Sequence, residues 1–91
     1  MSIKVNIHWH VWQELTNGQA IVEVNGNTTG QCLKYLVKQF PALEEEIFDK
    51  AGELHEYLTI FINREPALPD ELATPVKDGD EIHIVPLIAG G

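Results

Sequence analysis

The last two residues, Gly90 and Gly91, have the type and position best suited to chemistry in this chain. Because glycine has no side chain, a Gly-Gly end can pass through a narrow channel and bring its α-carboxylate against a nucleotide phosphate. Attack on the α-phosphate of ATP would turn that carboxylate into an acyl-adenylate, from which a sulfur or nitrogen nucleophile can displace AMP. The ending therefore predicts a protein that another enzyme activates at Gly91. The competing interpretation is a frayed tail without a role.

Nucleophilic catalysis by the chain itself has few candidates. The only serine is Ser2, close to a terminus, and the one cysteine, Cys32, has no evident base beside it in the sequence. Cys32 lies one helical turn before Leu36 and borders an apolar stripe, which favours a buried or half-buried structural cysteine. We therefore expect no catalytic residue of its own, a carrier or co-substrate protein rather than an enzyme, and no stably bound cofactor.

Two groups of residues resemble parts of metal sites. His8 and His10 fall on one side of the predicted first strand, where two imidazoles could share an ion. Two ligands do not make a site, and a third would have to come from a neighbouring strand, so we favour solvent-facing histidines. Asp78, Asp80 and Glu81 look like a fragment of a calcium loop, but the spacing that such loops need is missing. A plain turn explains them better, and we predict no metal.

Two strands are predicted to begin the fold. Apolar and polar residues alternate from Ile3 to Val11, a period of two that puts the apolar set on the core face of a strand. Asn17-Gly18 suits a tight hairpin, and a second alternating run follows it, so the two strands should pair antiparallel. Trp12 falls on the outward side, where it either adds contact surface or covers the sheet edge. The inward positions are Ile3, Val5, Ile7, Trp9, Val11, Ala20, Val22 and Val24.

One main helix follows, with a short second turn after it. Thr28 or Thr29 can cap the helix by accepting a hydrogen bond from a free backbone N–H, and Pro41 should stop it at Phe40. One apolar face, expected to lie against the sheet, is formed at positions i, i+3, i+4 and i+7 by Leu33, Leu36, Val37 and Phe40. The short second turn carries Leu43, Ile47 and Phe48.

The second half of the chain predicts two more strands. Tyr57 to Asn63 alternates as a strand, with Phe61 left as an apolar residue on the outer face. Residues 64–76 hold three of the five prolines and are predicted to be a loop with at most a short edge strand. Residues 77–80 form a turn, and Glu81 to Pro86 is a last strand with Ile82 and Ile84 turned inward.

This order of elements predicts an α+β fold, a sheet of four to five strands with one main helix across one face. The 91 residues suffice for a single domain, 1–91, which ends in a flexible C-terminal tail, 87–91. At about 3.3 Å per residue that tail reaches about 16 Å, enough to enter the active site of another protein. The last strand directly precedes the tail, so we expect the tail to project from a rigid body.

The composition narrows the range of partners and compartments. Six basic against fourteen acidic residues give a formal net charge of -8, which repels nucleic acid and anionic membrane surfaces. The acidity would attract a basic surface on another protein, or it simply keeps a small protein soluble. A single cysteine and the absence of a long apolar segment or signal peptide indicate a cytoplasmic protein.

The last third of the chain resembles the end of the small subunit of molybdopterin synthase and of related β-grasp sulfur carriers. The features that match together are the run Lys77-Asp78-Gly79-Asp80-Glu81, the alternating strand, the proline, and the ending Ala89-Gly90-Gly91. The segment from Gly52 to Asn63 is more similar to the longer carriers, including those used in cysteine synthesis, than to the shorter thiamine carrier. Residues 7–14 depart from the usual first strand and loop of the molybdopterin subunit.

The resemblance implies a ubiquitin-like β-grasp fold with a mixed sheet and a sulfur-carrier function. An E1-like enzyme would adenylate Gly91 with its own ATP, and the adenylate would become a thiocarboxylate that supplies sulfur to a synthase. Ile88, Ala89 and Gly90 would be the inserted tail. An apolar patch on the outer sheet face would dock the body through Phe61, Pro86 and Leu87.

Three functions share these features. A sulfur carrier would serve molybdopterin, cysteine or homocysteine, or thiamine synthesis, and in the first case it could be catalogued as the small subunit of molybdopterin synthase. A ubiquitin-like modifier would instead pass Gly91 to a substrate lysine. A β-grasp adaptor would use only its surface.

Overall fold

The computed structural model describes residues 2–67 and 70–86. The elements in chain order are β1 (Ile3–Ile7), α1 (His10–Leu15), β2 (Ile21–Val24), α2 (Thr29–Gln39), a 3-10 turn (Pro41–Leu43), α3 (Glu44–Ile47), β3 (Leu58–Ile62), β4 (Glu65–Pro66) and β5 (Glu81–Pro86). The strands form one sheet in the order β2-β1-β5-β3-β4. Strands β1 and β5 run parallel, and the other neighbours run antiparallel. The predicted mixed α+β architecture is confirmed.

The hydrophobic core lies between one face of this sheet and the helices. Alternate residues of the central strands, Val5, Ile60 and Ile82, are fully buried, while their sequence neighbours lie on the outer face. Leu33 and Leu36 of α2 are also fully buried, and Val37 and Phe40 pack against the core while remaining partly exposed. Leu43, Ile47 and Phe48 also belong to the core.

Both ends of α2 follow the sequence signals. The Thr28 side chain accepts a hydrogen bond from Gln31 N at 3.2 Å, so Thr28 is the N-cap. The next two backbone N–H groups, of Thr29 and Gly30, donate to the carbonyls of Thr74 and Leu72. A Cβ at Gly30 would lie 2.8 Å from the Leu72 oxygen, so glycine is required for this close approach. The helix ends before Pro41, as predicted.

The first strand is shorter than predicted, and its last two alternating positions were assigned wrongly. Strand β1 ends at Ile7, and α1 begins at His10. A helix turns successive side chains by about 100° instead of 180°, so the strand alternation does not continue. Val11, predicted inward, is 53% exposed, and Trp12, predicted outward, is 1% exposed in the core. Both interpretations of Trp12 as a surface residue were therefore wrong.

The connection between β1 and β2 is also longer than a tight hairpin. The two strands pair antiparallel as predicted, from Ile3 opposite Val24 to Asn6 opposite Ile21. Helix α1 and a turn lie between them, and Asn17 and Gly18 have the expected positive φ of 57° and 81° within that turn. Ala20 precedes β2 and is exposed, in contrast to its predicted inward position.

Within the described residues, the structure has no helix long and apolar enough to cross a membrane.

Candidate functional site

Strand β5 is the element that carries the predicted site, and it is held from both sides. It pairs in parallel with β1, with Ile7 opposite Ile84, and antiparallel with β3, with Ile60 opposite the same Ile84. Ile82 and Ile84 are fully buried. A strand paired along both edges and buried on one face resists fraying, so β5 is a rigid support for whatever follows it.

The start of β5 is fixed by Asp80, which is only 8% exposed. One carboxylate oxygen of Asp80 accepts from Lys77 N at 2.9 Å, and the other accepts from Asn63 Nδ2 at 3.2 Å. The Asn63 side-chain oxygen accepts in turn from Glu81 N at 3.1 Å. The turn predicted over residues 77–80 is present, and these side chains hold it against the end of β3.

The end of β5 is Pro86, which lies opposite Leu58, the first residue of β3. Pro86 is partly buried. Leu87, Ile88, Ala89, Gly90 and Gly91, the remaining predicted site residues at this end, lie outside the described residues. The structure therefore describes the point from which the predicted tail departs.

An aromatic cluster that sequence reasoning missed lies at the same edge of the sheet. Trp9 follows the end of β1 and Tyr57 precedes the start of β3, so both flank the end of β5. Their rings meet edge to face with centroids 6.5 Å apart, and His55 stacks on Tyr57 at 5.0 Å. Trp9 is far in sequence from His55 and Tyr57, and the pairing of β1 and β3 with β5 brings the two segments together.

The outer face of the sheet carries Phe61, the predicted docking residue of the body. Phe61 is partly exposed and lies directly across from His83 on β5. Together with His8, Val85 and Arg64 it lines a shallow depression. The structure thus places Phe61 on the face opposite the core, as the alternation of β3 predicted. Pro86 lies three positions beyond His83 on β5 and shares the alternation of the buried Ile82 and Ile84, so the predicted single patch on the outer face does not include it.

His8 and His10 do not form the predicted common side of a strand. His10 is the first residue of α1, whereas His8 lies just after β1. His8 instead meets His83, with its Nε2 at 2.8 Å from His83 Nδ1 and ring centroids 5.0 Å apart. Nε2 of His83 lies 3.4 Å from a carboxylate oxygen of Glu81. Within residues 2–67 and 70–86, no group of three or more His, Cys, Asp or Glu side chains is arranged to hold a metal ion.

Cys32 is buried in α2, as predicted, with no exposed surface. Desolvation by burial raises the pKa of its thiol from 9.0 to about 11. Gly26 packs closely against the thiol: a Cβ at this position would be 2.9 Å from the Cys32 Sγ, so no side chain fits there. Since the thiolate is the reactive form, this cysteine is unsuited to nucleophilic chemistry in the folded protein.

The chain is similar to one protein family and to several named proteins. A model described as the ThiS family matches residues 11–91. The sulfur carrier protein CysO of Mycobacterium tuberculosis is 34% identical over 79 residues, which cover 84% of this chain and 85% of that protein. Small archaeal modifier protein 1 of Haloferax volcanii is 37% identical over 71 residues, which cover 77% of this chain and 78% of that protein.

The similar solved structures include the same protein, CysO. The crystal structure of Mycobacterium tuberculosis CysO aligns with a TM-score of 0.85 and 29% identity, covering 94% of this chain and 99% of that one. A chain in the crystal structure of the Amycolatopsis orientalis BexX/CysO complex aligns with a TM-score of 0.86 and 27% identity, covering 98% and 99%. The alignments therefore span nearly the whole domain.

Proposed function

Because the chain belongs to the ThiS family of ubiquitin-like β-grasp proteins, we propose that it is a sulfur carrier whose working group is the α-carboxylate of Gly91. The family match runs to residue 91 and so includes the Gly-Gly ending. The sulfur-carrier resemblance drawn from the last third of the sequence and the predicted fold are confirmed. The carboxylate chemistry, the activating enzyme and the acceptor pathway belong to the proposal.

The observation that carries the proposal is the position of β5 between β1 and β3. Residues 82 and 84 anchor the strand in the core, and its pairing continues to Pro86 opposite Leu58. Only five residues separate Pro86 from the end of the chain. Because the body is already ordered and the tail is short, only a few residues lose conformational freedom when the tail enters an active site, and the two glycines let it pass through a narrow channel.

The proposed chemistry has two steps, both carried out by an E1-like enzyme that binds its own ATP. An oxygen of the Gly91 carboxylate attacks the α-phosphorus of ATP, and pyrophosphate leaves, which gives an acyl-adenylate. A sulfur nucleophile then attacks the carbonyl carbon and AMP leaves, so that the sulfur remains on Gly91 as a thiocarboxylate. The carrier supplies the acyl group and no catalytic side chain. It holds no cofactor of its own.

The body would dock on the activating enzyme and on a sulfur-accepting synthase through the outer sheet face. Phe61 provides a partly exposed aromatic surface there, and we propose that Pro86 and Leu87 add a separate contact at the root of the tail. A formal net charge of -8 favours encounter with a basic surface. One neighbouring structure is described as a BexX/CysO complex, which supports the expectation that such carriers work bound to another protein.

The acceptor pathway follows from the resemblance to the longer carriers. We assign the chain to sulfur transfer for amino-acid synthesis of the cysteine or homocysteine type ahead of the molybdopterin and thiamine types. We further propose that it acts in the cytoplasm as a single domain, 1–91, with residues 87–91 free to enter its partners. The free, buried Cys32 is in keeping with a reducing compartment.

A second candidate function is a ubiquitin-like modifier. Two relatives favour it by name, small archaeal modifier protein 1 of Haloferax volcanii at 37% identity and ubiquitin-related modifier 1 of Encephalitozoon cuniculi at 33%. The first step would be the same, and a lysine amine in place of sulfur would displace AMP to form an amide. The two functions therefore share Gly91 and differ in the second nucleophile.

Incubation with the cognate E1-like enzyme, ATP and a sulfide donor tests the proposal, with the products weighed as intact proteins. Replacement of one oxygen by sulfur supports the carrier, and conjugates to other proteins support the modifier. A chain lacking Gly91 is the matched control, since it keeps every described residue and should fold normally. An unchanged mass with every activating enzyme tried, or equal adenylation of the shortened chain, would overturn the assignment to Gly91.

A further inference from the structure

A group of aromatic rings with two carboxylates lies at the end of the sheet where β5 stops. We call it the tail-root surface, and it consists of Trp9, Glu46, His55, Glu56 and Tyr57. From its position and charge we infer that it is a second docking site, which receives a protein surface carrying arginine or lysine side chains at the entrance that takes up the tail. The inference rests on the proposed function, because it assigns the chemistry of the partner at the root of the same tail.

The length of the tail requires contact at its root. Five residues lead from Pro86 to Gly91, and at about 3.3 Å per residue they span at most about 16 Å. For Gly91 to meet a reacting atom inside an enzyme, that enzyme must enclose most of this length and come close to Pro86. The side chains around Pro86 are therefore covered by the activating enzyme, whichever other contacts the body makes.

Pro86 lies on the core side of the sheet and not on the side of Phe61. It is directly opposite the buried Leu58, and cross-strand partners lie on the same side of a sheet. Trp9 also packs against the core, whereas Phe61 lies on the outer face. Docking through Phe61 therefore leaves the tail root to a separate contact, and the tail-root surface is the part of the described chain that adjoins it.

The rings give this surface an exposed aromatic area on a rigid base. Tyr57 is 42% exposed, and its ring stacks on His55 with centroids 5.0 Å apart and meets Trp9 edge to face at 6.5 Å. Trp9 in turn contacts the buried Trp12, with centroids 5.4 Å apart. Rings that rest on the core lose little freedom on binding. Aromatic side chains held in this way are typical anchors of interfaces, and their faces attract the cationic groups of arginine and lysine.

The carboxylates beside these rings supply negative charge for such a cation. Glu56 directly precedes Tyr57 and is exposed. Glu46 is partly exposed, and its Oε1 accepts from Trp12 Nε1 at 3.1 Å, which holds the carboxylate near the rings. Within residues 2–67 and 70–86, no lysine or arginine forms an ion pair with Glu46 or Glu56. An arginine or lysine surface on the partner is therefore complementary in charge to this end of the sheet.

Steady-state adenylation of the full chain by its cognate E1-like enzyme, followed as ATP–pyrophosphate exchange, tests the inference. Tyr57→Ala should raise the KM for the carrier about fivefold to tenfold and leave kcat unchanged, because it weakens docking and leaves Gly91 intact. Tyr35→Ala is the matched control, since Tyr35 is 37% exposed and lies near Ser2, at the opposite end of the sheet. Its KM should change by less than about twofold.

Charge substitutions at Glu56 test the cationic nature of the partner surface. Glu56→Gln should raise KM about threefold, and Glu56→Lys about tenfold, because the second places like charges against each other. Glu23 is the control position, since it is exposed on β2 opposite Lys4, level with the start of β5. The same substitutions there change the net charge equally and should alter KM by less than about twofold. Added NaCl should raise KM more steeply for the wild type than for Glu56→Gln.

The outcomes separate this inference from the proposed function. Circular dichroism, together with kcat at saturating carrier, shows that each variant is folded. If the wild type is adenylated at Gly91 while the Tyr57 and Glu56 variants match their controls, the second docking site is overturned and the function of Gly91 stands. A lower KM for Glu56→Lys than for the wild type would also overturn it, because the partner surface would not be basic. A wild type that no activating enzyme adenylates overturns the proposed function, and this inference with it.

Discussion

Pro86 lies directly opposite Leu58 in the antiparallel pairing of β3 and β5. Leu58 is buried, so the last described residue pair of β3 and β5 is anchored in the core. Trp9 and Tyr57 stand on either side of that point, with ring centroids 6.5 Å apart. The root of the predicted tail is therefore positioned by the fold, and the consequences of that arrangement can be tested residue by residue.

Replacing Phe61 by alanine should weaken docking on the activating enzyme. A partly exposed aromatic side chain at the centre of an interface often contributes more than about 1 kcal/mol, or several-fold to tenfold in affinity. Binding of Phe61→Ala to the E1-like enzyme can be measured by calorimetry. Tyr35→Ala is a matched control, because Tyr35 is an exposed aromatic residue on α2, away from the outer sheet face. Equal losses of affinity in both variants would contradict the proposal that Phe61 lies in the interface.

Replacing Asp80 by alanine should destabilise the start of β5. The substitution removes the acceptors for Lys77 N and for Asn63 Nδ2 at a position that is 8% exposed. We expect the free energy of unfolding to fall by about 1–3 kcal/mol in urea denaturation. Lys77→Ala, in the same turn, removes an exposed side chain that makes no hydrogen bond or ion pair with the described residues and should change it by about 0.5 kcal/mol or less. A large effect of Lys77→Ala with a small one of Asp80→Ala would contradict this account of the turn.

Among the aromatic residues, Trp12 should lower the free energy of unfolding the most when it is replaced by alanine. It is 1% exposed, and its indole Nε1 donates to a Glu46 carboxylate oxygen at 3.1 Å. Trp12→Ala should lower the free energy of unfolding by about 3–5 kcal/mol by leaving a cavity. Glu46→Gln keeps an acceptor for the indole and should cost much less, about 1 kcal/mol or below. Thermal unfolding of the two variants separates packing from hydrogen bonding, and a mild Trp12→Ala phenotype would argue against a buried indole.

Cys32 should resist thiol reagents at neutral pH and make stability depend on pH above 9. Burial raises its pKa from 9.0 to about 11, so the folded state favours the protonated thiol. That contribution is complete below the unfolded pKa and is lost as the pH rises from 9.0 to about 11. We expect the unfolding free energy to fall more steeply over this range in the wild type than in Cys32→Ala. Parallel pH profiles would show that the thiol does not contribute.

The strands near the C-terminus were well predicted because their signals are local. The alternation of Ile82 and Ile84 with polar neighbours and the turn residues before them both lie within one short segment, and the structure confirms both. The N-cap at Thr28 and the stop at Pro41 are equally local. For these elements, propensity, periodicity and capping agree, so little depends on distant contacts.

The incorrect predictions concern residues whose positions depend on contacts with residues far away in the sequence. The alternation from Ile3 continues formally to Val11, yet the chain leaves the sheet after Ile7, and α1 carries no capping side chain to mark its start. Trp12 is buried in part because Glu46, 34 positions later, satisfies its indole N–H. The contact of His8 with His83 likewise depends on parallel pairing between the two ends of the chain, which periodicity cannot assign.

Locating the transferred sulfur within the chain tests the central claim most directly. After incubation with the activating enzyme, ATP and a sulfide donor, the protein is digested and the peptide ending at Gly91 is weighed and fragmented. We predict that sulfur replaces oxygen on Gly91, and that Cys32→Ala is loaded to the same extent because the buried thiol takes no part. An unmodified C-terminal peptide, with the sulfur found on Cys32 instead, would contradict the account.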